Sequence, residues 1–303
     1  MTSTHGSAAP VAIVGSGRLG TALGRLLRDR GANVVAIAGR DLVSAKRAAD
    51  FIGGIEAVPI ERVPALASHI LISVTDDAIS DVASQLMNAG LSRSSAGKCV
   101  ALHTSGSRGP GELSALAESQ VSTAVLHPLQ TIPSPQQGVE SLPGSCFAVC
   151  AGEGSGGQAV EWASEIVTLL AGRMLSIQPE RWALYHAGAV FASNYIVTMV
   201  DAALEALEAA GIPRKEALAA LAPISHAAVT NAFHLGPDAA LTGPIARGDA
   251  NTVTRNLEGL KFTTEETQAA YRAVGERTIQ IARRSGLEPE RLRQLEVALR
   301  FRS

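Results

Sequence analysis

The hydrophobic positions of this chain follow two different periods. Up to about residue 178, short apolar runs alternate with longer segments whose apolar residues recur every three or four positions. The apolar runs are Val11 to Val14, NVVAIAGR (33–40), Ile55 to Ile60, Ile70 to Val74, KCVALHT (98–104), VSTAVLHP (121–128), GSCFAVC (144–150) and RMLSI (173–177). Such runs, bounded by turn residues, predict buried strands, and the segments between them, such as Leu42 to Ile52 and QAVEWASEIVTLLAG (158–172), predict helices. Alternation of this kind implies an α/β domain with a doubly wound, mostly parallel sheet, with RMLSI as a last edge strand.

From Pro179 onward the period-two pattern disappears. A very long helix is expected over about Glu180 to Ala210, ended by Gly211-Ile212-Pro213, a glycine-then-proline stop. Further helices are expected over 214–236, about Ala250 to Leu260, 263–286 and 289–301, with Thr264 or Thr263 capping the penultimate one and Glu266 completing a capping box. The expected organisation is therefore residues 1–178 as a nucleotide-binding α/β domain and residues 179–303 as an all-α domain. Within the long helix, His186, Asn194, Asp201 and Glu205 interrupt the apolar stretch 183–207, which favours an interior helix over a membrane span.

The junction of the first strand and first helix carries the most specific chemistry. Val11 to Val14 run into Gly15-Ser16-Gly17-Arg18-Leu19-Gly20 and then the helical pattern TALGRLLRDR. In a strand–turn–helix context each glycine has a mechanical reason: Gly15 makes the tight turn, Gly17 lets backbone approach a pyrophosphate, and Gly20 lets helix pack on strand. The helix N-terminus then offers unpaired N–H groups to an anion. At the end of the second strand, where an adenine ribose would lie, stands Arg40, whose planar fork suits a 2′-phosphate and favours NADP over NAD. Asp41 beside it could instead accept a ribose hydroxyl, leaving Arg40 a solvated charge. Backbone around Val74 and Thr75, at the end of another parallel strand, is expected against the cofactor, while Asp76 and Asp77 read as helix caps.

Composition narrows the picture without redirecting it. With 303 residues, 46% hydrophobic and 18% charged, the chain has the make-up of an ordinary globular protein. A formal net charge of −2 gives no basic footprint for nucleic acid, and no charge run points to an anionic membrane. The first ten residues read as a disordered lead rather than a signal peptide, so a cytoplasmic location is expected. Cys99, Cys146 and Cys150 show no metal-ligand spacing. On a strand the last two would lie roughly 13 Å apart, beyond disulfide reach. All three are expected to be reduced, and no metal is expected.

Several residues could carry chemistry at the strand ends and on the helices. His127, before Pro128, is placed to give or take the proton that accompanies hydride transfer, or else simply terminates its strand. Ser105 is a hydrogen bonder to nicotinamide or substrate, or a turn serine; His103, inside its strand, reads as a packed core histidine. On the long helix, His186, Ser193 and Asn194 fall within an arc of roughly 100°, with a ligand or neighbouring helices as their partners. LTGPIARGD (241–249) is a shaped loop whose Thr242 and Arg247 are candidates for substrate binding. Arg247 would clamp a carboxylate or pair locally with Asp249.

The motifs GSGRLG, SVTDDAI, LHTSGS, LHPLQTI, HAGAVFASNY and LTGPIARGD together resemble the Rossmann-like/DUF2520 family of oxidoreductases, over nearly the whole chain. More distantly the chain is similar to pyrroline-5-carboxylate reductase, ketopantoate reductase, 3-hydroxyisobutyrate dehydrogenase and prephenate dehydrogenase. The resemblance implies a nicotinamide cofactor and a homodimer through the helical half. His127-Pro128 is similar to the motif in which a prephenate dehydrogenase histidine assists hydride removal. If Asn194 matches the helix asparagine of the hydroxyisobutyrate and ketopantoate enzymes, Val190 occupies their catalytic lysine position, so a lysine mechanism is not implied and His186 is the substitute. The expectation is an NADP-dependent oxidoreductase of a small, carboxylate-bearing carbonyl, hydroxyl or imine substrate. NAD or deazaflavin F420 as cofactor, and a non-catalytic NADP sensor with a protein partner, are the alternatives.

Overall fold

The computed structural model describes residues 9–92, 99–152 and 157–300. The expected lead at residues 1–8, most of the glycine-rich loop 152–158 and Phe301 lie outside the described residues. The described chain divides into two compact units, residues 1–191 and 192–303.

The first unit is built on an eight-stranded sheet: β1 (Val11–Val14), β2 (Val34–Ala38), β3 (Glu56–Val58), β4 (His69–Ile72), β5 (Val100–His103), β6 (Ser122–Pro128), β7 (Cys146–Ala151) and β8 (Arg173–Ser176). The order is β3-β2-β1-β4-β5-β6-β7-β8, parallel throughout except for the antiparallel β6–β7 pair. The first six strands have the doubly wound arrangement, with the chain reversing its direction of sheet growth between β1 and β4. RMLSI does form the last edge strand. Alternation along each strand feeds both faces: Val11 and Ile13 of β1 enter one apolar cluster with Leu23, Leu27 and Ile52, while Ala12 and Val14 enter the other with Ile79, Ala83 and Leu86. The helix Pro135–Ser141, capped by Ser134, had no clear periodic signal because it is short and begins at a proline.

The second unit packs a small core of Ile245, Val253, Leu257, Ile279, Leu292, Leu295 and Leu299 from its last helices. Two expectations change here. The single helix over 180–210 is in fact Trp182–Ala192 and Asn194–Ala209, interrupted at Ser193, whose φ of −131° and ψ of −74° leave helical space. Nor is it an interior helix: by length and hydropathy Pro179–Ala209 could cross a membrane, yet only 6% of its apolar window is buried in the chain. Enough apolar side chains to drive burial are present, but within one chain little covers them.

The penultimate helix, Glu265–Arg284, begins at Thr264, whose hydroxyl accepts from the Thr267 amide. Thr267 therefore occupies the third helical position, and Glu266 falls one short of the capping-box site. Glu205, from Asn194–Ala209, takes that part by accepting from the Thr264 amide at 2.6 Å and from the Thr264 and Thr267 hydroxyls.

Candidate active site at the strand ends

One cavity of about 950 Å³ opens at the carboxyl ends of β1, β2, β4, β5 and β6, lined among others by Gly15 to Leu19, Arg40, Ser73 to Asp76, Thr104 to Gly106 and His127. The strand ends are tied by backbone: the Gly15 amide donates to Ala38 O at 2.8 Å, Ser73 to Val14 O at 2.7 Å and Thr104 to Ile72 O at 3.1 Å. Parallel pairing thus delivers five consecutive strand-to-loop transitions to one edge. Gly15, Ser16, Gly17, Arg18, Leu19, Arg40, Val74, Thr75 and Ser105 all line this cavity, and Gly20 lies just below it.

The glycines divide by what they touch. Gly15 has φ +119°, and a Cβ there would sit 2.1 Å from Ser73 O; at Gly20 a Cβ would meet Gly15 O at 2.4 Å. Both are required by the protein itself. A Cβ on Gly17 would meet nothing closer than Ser73 O at 3.9 Å, so no protein atom demands glycine there. The helix that follows, Arg18–Asp29, has no side-chain cap, no acid in its first turn and a cation, Arg18, at its first position. Each choice is unfavourable for a bare helix N-terminus, and all suit one that holds an anion.

At the end of β2 the two neighbours Arg40 and Asp41 separate in role. Asp41 caps Leu42–Ile52, accepting from the Val43 amide (3.1 Å), the Ser44 amide (2.9 Å) and the Ser44 hydroxyl (2.6 Å). Those bonds hold its carboxyl below the usual range, the Ser44 hydroxyl contributing most. Arg40 is exposed at the cavity rim, without an ion pair among the described residues.

At the β6 end of the cavity stands His127, with Tyr185 and His186 next to it. His127 Nδ1 lies 2.8 Å from the Tyr185 hydroxyl, and the rings of His127 and His186 are 6.2 Å apart. Gly106 fills the gap: a Cβ there would fall 2.5 Å from His127 Nε2 and 2.8 Å from His186 Cδ2. Burial, helped by the neighbouring His186, pushes His127 down to about 4, while Asp76 pulls the other way. Burial pushes the Tyr185 phenol up to about 12. At neutral pH the imidazole is neutral and the phenol protonated. Tyr185 was not legible in the sequence, because its helical neighbour His186 points about 100° away and only the register of Trp182–Ala192 on β6 brings its hydroxyl to His127.

His103 is fully buried; its Nε2 is 3.0 Å from Gly109 O and its Nδ1 accepts from the Ser105 amide at 3.2 Å. Burial lowers it to about 4. Ser105 acts as a turn serine, accepting from the Arg108 amide at 3.0 Å. The aspartates of SVTDDAI do not cap their helix with side chains. Asp76 instead accepts from the Ser107 hydroxyl, and Asp77 pairs with Arg108 at 2.7 Å. The reason is that Thr104 to Arg108, leaving β5, passes directly over the loop after β4.

The remaining candidates belong to the second unit. Ser193 sits at the helix interruption and its hydroxyl donates to Asn194 Oδ1 at 2.9 Å. Asn194 is exposed, so the shared buried arc expected for His186, Ser193 and Asn194 does not exist: helical spacing cannot be carried across a break. LTGPIARGD is less a loop than a short helix, Gly243–Arg247, framed by Gly243 (φ +90°) and Gly248 (φ +71°). Its Arg247 is exposed, its Asp249 caps the next helix through the Thr252 amide at 3.0 Å, and Thr242 lines a second cavity of about 790 Å³ with Met199, Tyr271 and Thr278. Cys99, Cys146 and Cys150 are free thiols. No cluster of metal-ligating side chains occurs among the described residues.

Comparison with known proteins agrees with this architecture. No curated protein matches the sequence. Among solved structures, a protein named as a putative NADP oxidoreductase from Bacteroides fragilis is 23% identical, covers 91% of this chain and 99% of its own, and superposes with a TM-score of 0.71. A Thermotoga maritima protein is 22% identical, with coverage of 90% and 98% and a TM-score of 0.67. An imine reductase from a Pseudomonas species is 16% identical, with coverage of 96% and 99% and a TM-score of 0.62. At these identities the likeness shows the fold. Residues 3–128 match the Rossmann-like domain family and residues 148–278 match DUF2520, a domain of unknown function. The chain thus carries a Rossmann-like match followed by a DUF2520 match.

Proposed function

We propose that the protein is an NADP-dependent oxidoreductase of a small substrate bearing a carbonyl, hydroxyl or imine carbon. The observation that carries the reading is the polarity of the strand-end cavity: an uncapped helix N-terminus with Arg18 and the exposed Arg40 at one end, and the buried, neutral His127 at the other. Gly17, which no protein atom requires, leaves room for a pyrophosphate against the Arg18–Asp29 amides. With Asp41 committed to its helix cap, the ribose edge is read by Arg40, which favours a 2′-phosphate over a bare 2′-hydroxyl. NADP in the names of structural neighbours supports the same choice.

The cofactor supplies the hydride when bound; the chain's own groups handle position and protons. Tyr185 holds His127 Nδ1 and fixes the ring orientation, leaving Nε2 beside Gly106 as the working atom: it donates a hydrogen bond when the tyrosine hydroxyl donates to Nδ1, and takes a proton when Nδ1–H donates to the tyrosine oxygen. Neutral imidazole in a water-poor site is suited to both tasks. Arg247 of the second unit is proposed to hold a substrate carboxylate, and the exposed apolar helices of that unit to form a homodimer. The test is calorimetry of NADPH and NADH with the native protein and Arg40→Ala. NADPH should bind at least about tenfold more tightly, and the variant should lose that preference. Equal binding of both nucleotides by the native protein would remove the phosphate role. If neither binds, the NADP-dependent reading falls, and F420 becomes the next ligand to titrate.

A further inference from the structure

The charges along the strand-end cavity are segregated. Its two arginines, Arg18 at the start of the helix after β1 and Arg40 after β2, lie on one side, whereas Asp76 and Asp81, after β4, bring carboxylates to the lining that also contains His127, and Asp76 is the one bound to the loop that reaches the histidines. Asp76 and the histidines are linked through two consecutive residues. Gly106 leaves no room for a Cβ beside His127 Nε2 and His186 Cδ2, and the next residue, Ser107, donates its hydroxyl to Asp76 Oδ2. Arg108, the residue after Ser107, is committed elsewhere: it is bound to Asp77 at 2.7 Å and lies 3.7 Å from Glu112. Burial works against the Asp76 charge, but the Ser107 and Ser105 hydroxyls, with Arg108 and His186 beyond them, hold its carboxyl below the usual range. A carboxylate has room for about four hydrogen bonds, so two hydroxyls leave it able to accept from a ligand.

We propose that Asp76 recognises a positively charged nitrogen, and that the substrate class is a protonated imine reduced to an amine, or the amine in the reverse direction. This rests on the oxidoreductase reading above and names its substrate. A fixed carboxylate beside the reacting carbon favours the protonated, electrophilic form of an imine and disfavours an anion placed there. In the reduction, hydride from the dihydronicotinamide forms the new C–H bond, the C=N π bond breaks, and its electron pair becomes the lone pair of a neutral amine. In reverse, ammonium must lose a proton before hydride leaves, and neutral His127 Nε2 is the group placed to take it.

The experiment is calorimetric titration of pyrrolidinium and its uncharged analogue cyclopentanol into the full chain, with and without saturating NADP⁺, in the native protein, Asp76→Asn and Asp76→Glu. Pyrrolidinium should bind at least tenfold more tightly than cyclopentanol; Asp76→Asn should level the two, and Asp76→Glu, which keeps the charge, should retain part of the preference. If the asparagine variant does not fold, Ser107→Ala should shift pyrrolidinium affinity severalfold and cyclopentanol affinity not at all. Equal native affinities, a preference that survives Asp76→Asn, or equal shifts of both probes in Ser107→Ala would overturn the proposal even where NADP⁺ binds. Asp76-dependent pyrrolidinium binding in a protein that ignores NADP⁺ would overturn the NADP-dependent reading and the imine reduction with it, leaving only the recognition of a cationic nitrogen by Asp76.

Discussion

The two units bury their apolar residues to very different degrees. In the first, the central strands are covered on both faces, and Ile13, Ile37, Leu71 and Ile72 are fully buried. In the second, the helix Arg214–Leu235 buries only Ala217, while Phe233 stands 78% exposed and Ile224 67%. A parallel sheet cannot exist without two covering layers, so its burial is completed within one chain. A helix satisfies its own backbone hydrogen bonds and can leave an apolar face for another partner. The catalytic candidates with defined side-chain geometry, His127, Tyr185 and Asp76, all lie in the unit built on the buried sheet.

That contrast can be broken most severely at Gly15. Gly15→Ala places a side chain at φ +119° and 2.1 Å from Ser73 O, so a loss of several kcal/mol and of nucleotide binding is expected. Chemical denaturation and NADPH titration will read both; a native-like midpoint would mean that the turn can relax. Next in size is His127→Ala, expected to lower kcat by about 10² to 10⁴ with folding intact, whereas Tyr185→Phe should cost about tenfold. An unchanged rate in both variants would remove the site from the chemistry.

A pH effect should separate the units as well. His103 is fully buried and titrates at about 4, so below pH 6.5 the unfolded chain takes up a proton that the folded one refuses. Stability should be pH-independent from this source above 6.5 and decline by roughly 3 kcal/mol as pH falls toward 4. Urea midpoints at pH 7 and pH 4.5, compared with His103→Asn, test it; parallel curves would locate the acid sensitivity elsewhere. The smallest effect on folding belongs to Phe233→Ser, within about 0.5 kcal/mol for an uncovered surface residue. If the apolar helices meet in a homodimer, the same change should shift light-scattering mass toward the monomer.

What the sequence determined by itself is what local periodicity and backbone sterics control. Apolar runs marked all eight strands to within two residues at either end. The helix Leu42–Ile52 was placed to the residue, and Gly15 and Gly20 were required because their surroundings are backbone atoms next in the chain or one strand away. GSGRLG, Arg40 and His127 were legible for the same reason: parallel strands deliver their carboxyl-end residues to one edge whatever the details.

What only the tertiary structure decided depends on distances between segments far apart in sequence. The Tyr185 hydroxyl on His127, the Ser107 hydroxyl on Asp76 and Glu205 at the Thr264 cap join residues 58, 31 and 59 positions apart. No period within either segment encodes such meetings. The interruption at Ser193, set inside an apolar stretch with neither glycine nor proline beside it, left no local mark either. Asp41 illustrates the boundary between the two kinds of knowledge: its residue type fitted both a ribose and a helix cap, and three hydrogen bonds to Val43 and Ser44 assigned it to the cap.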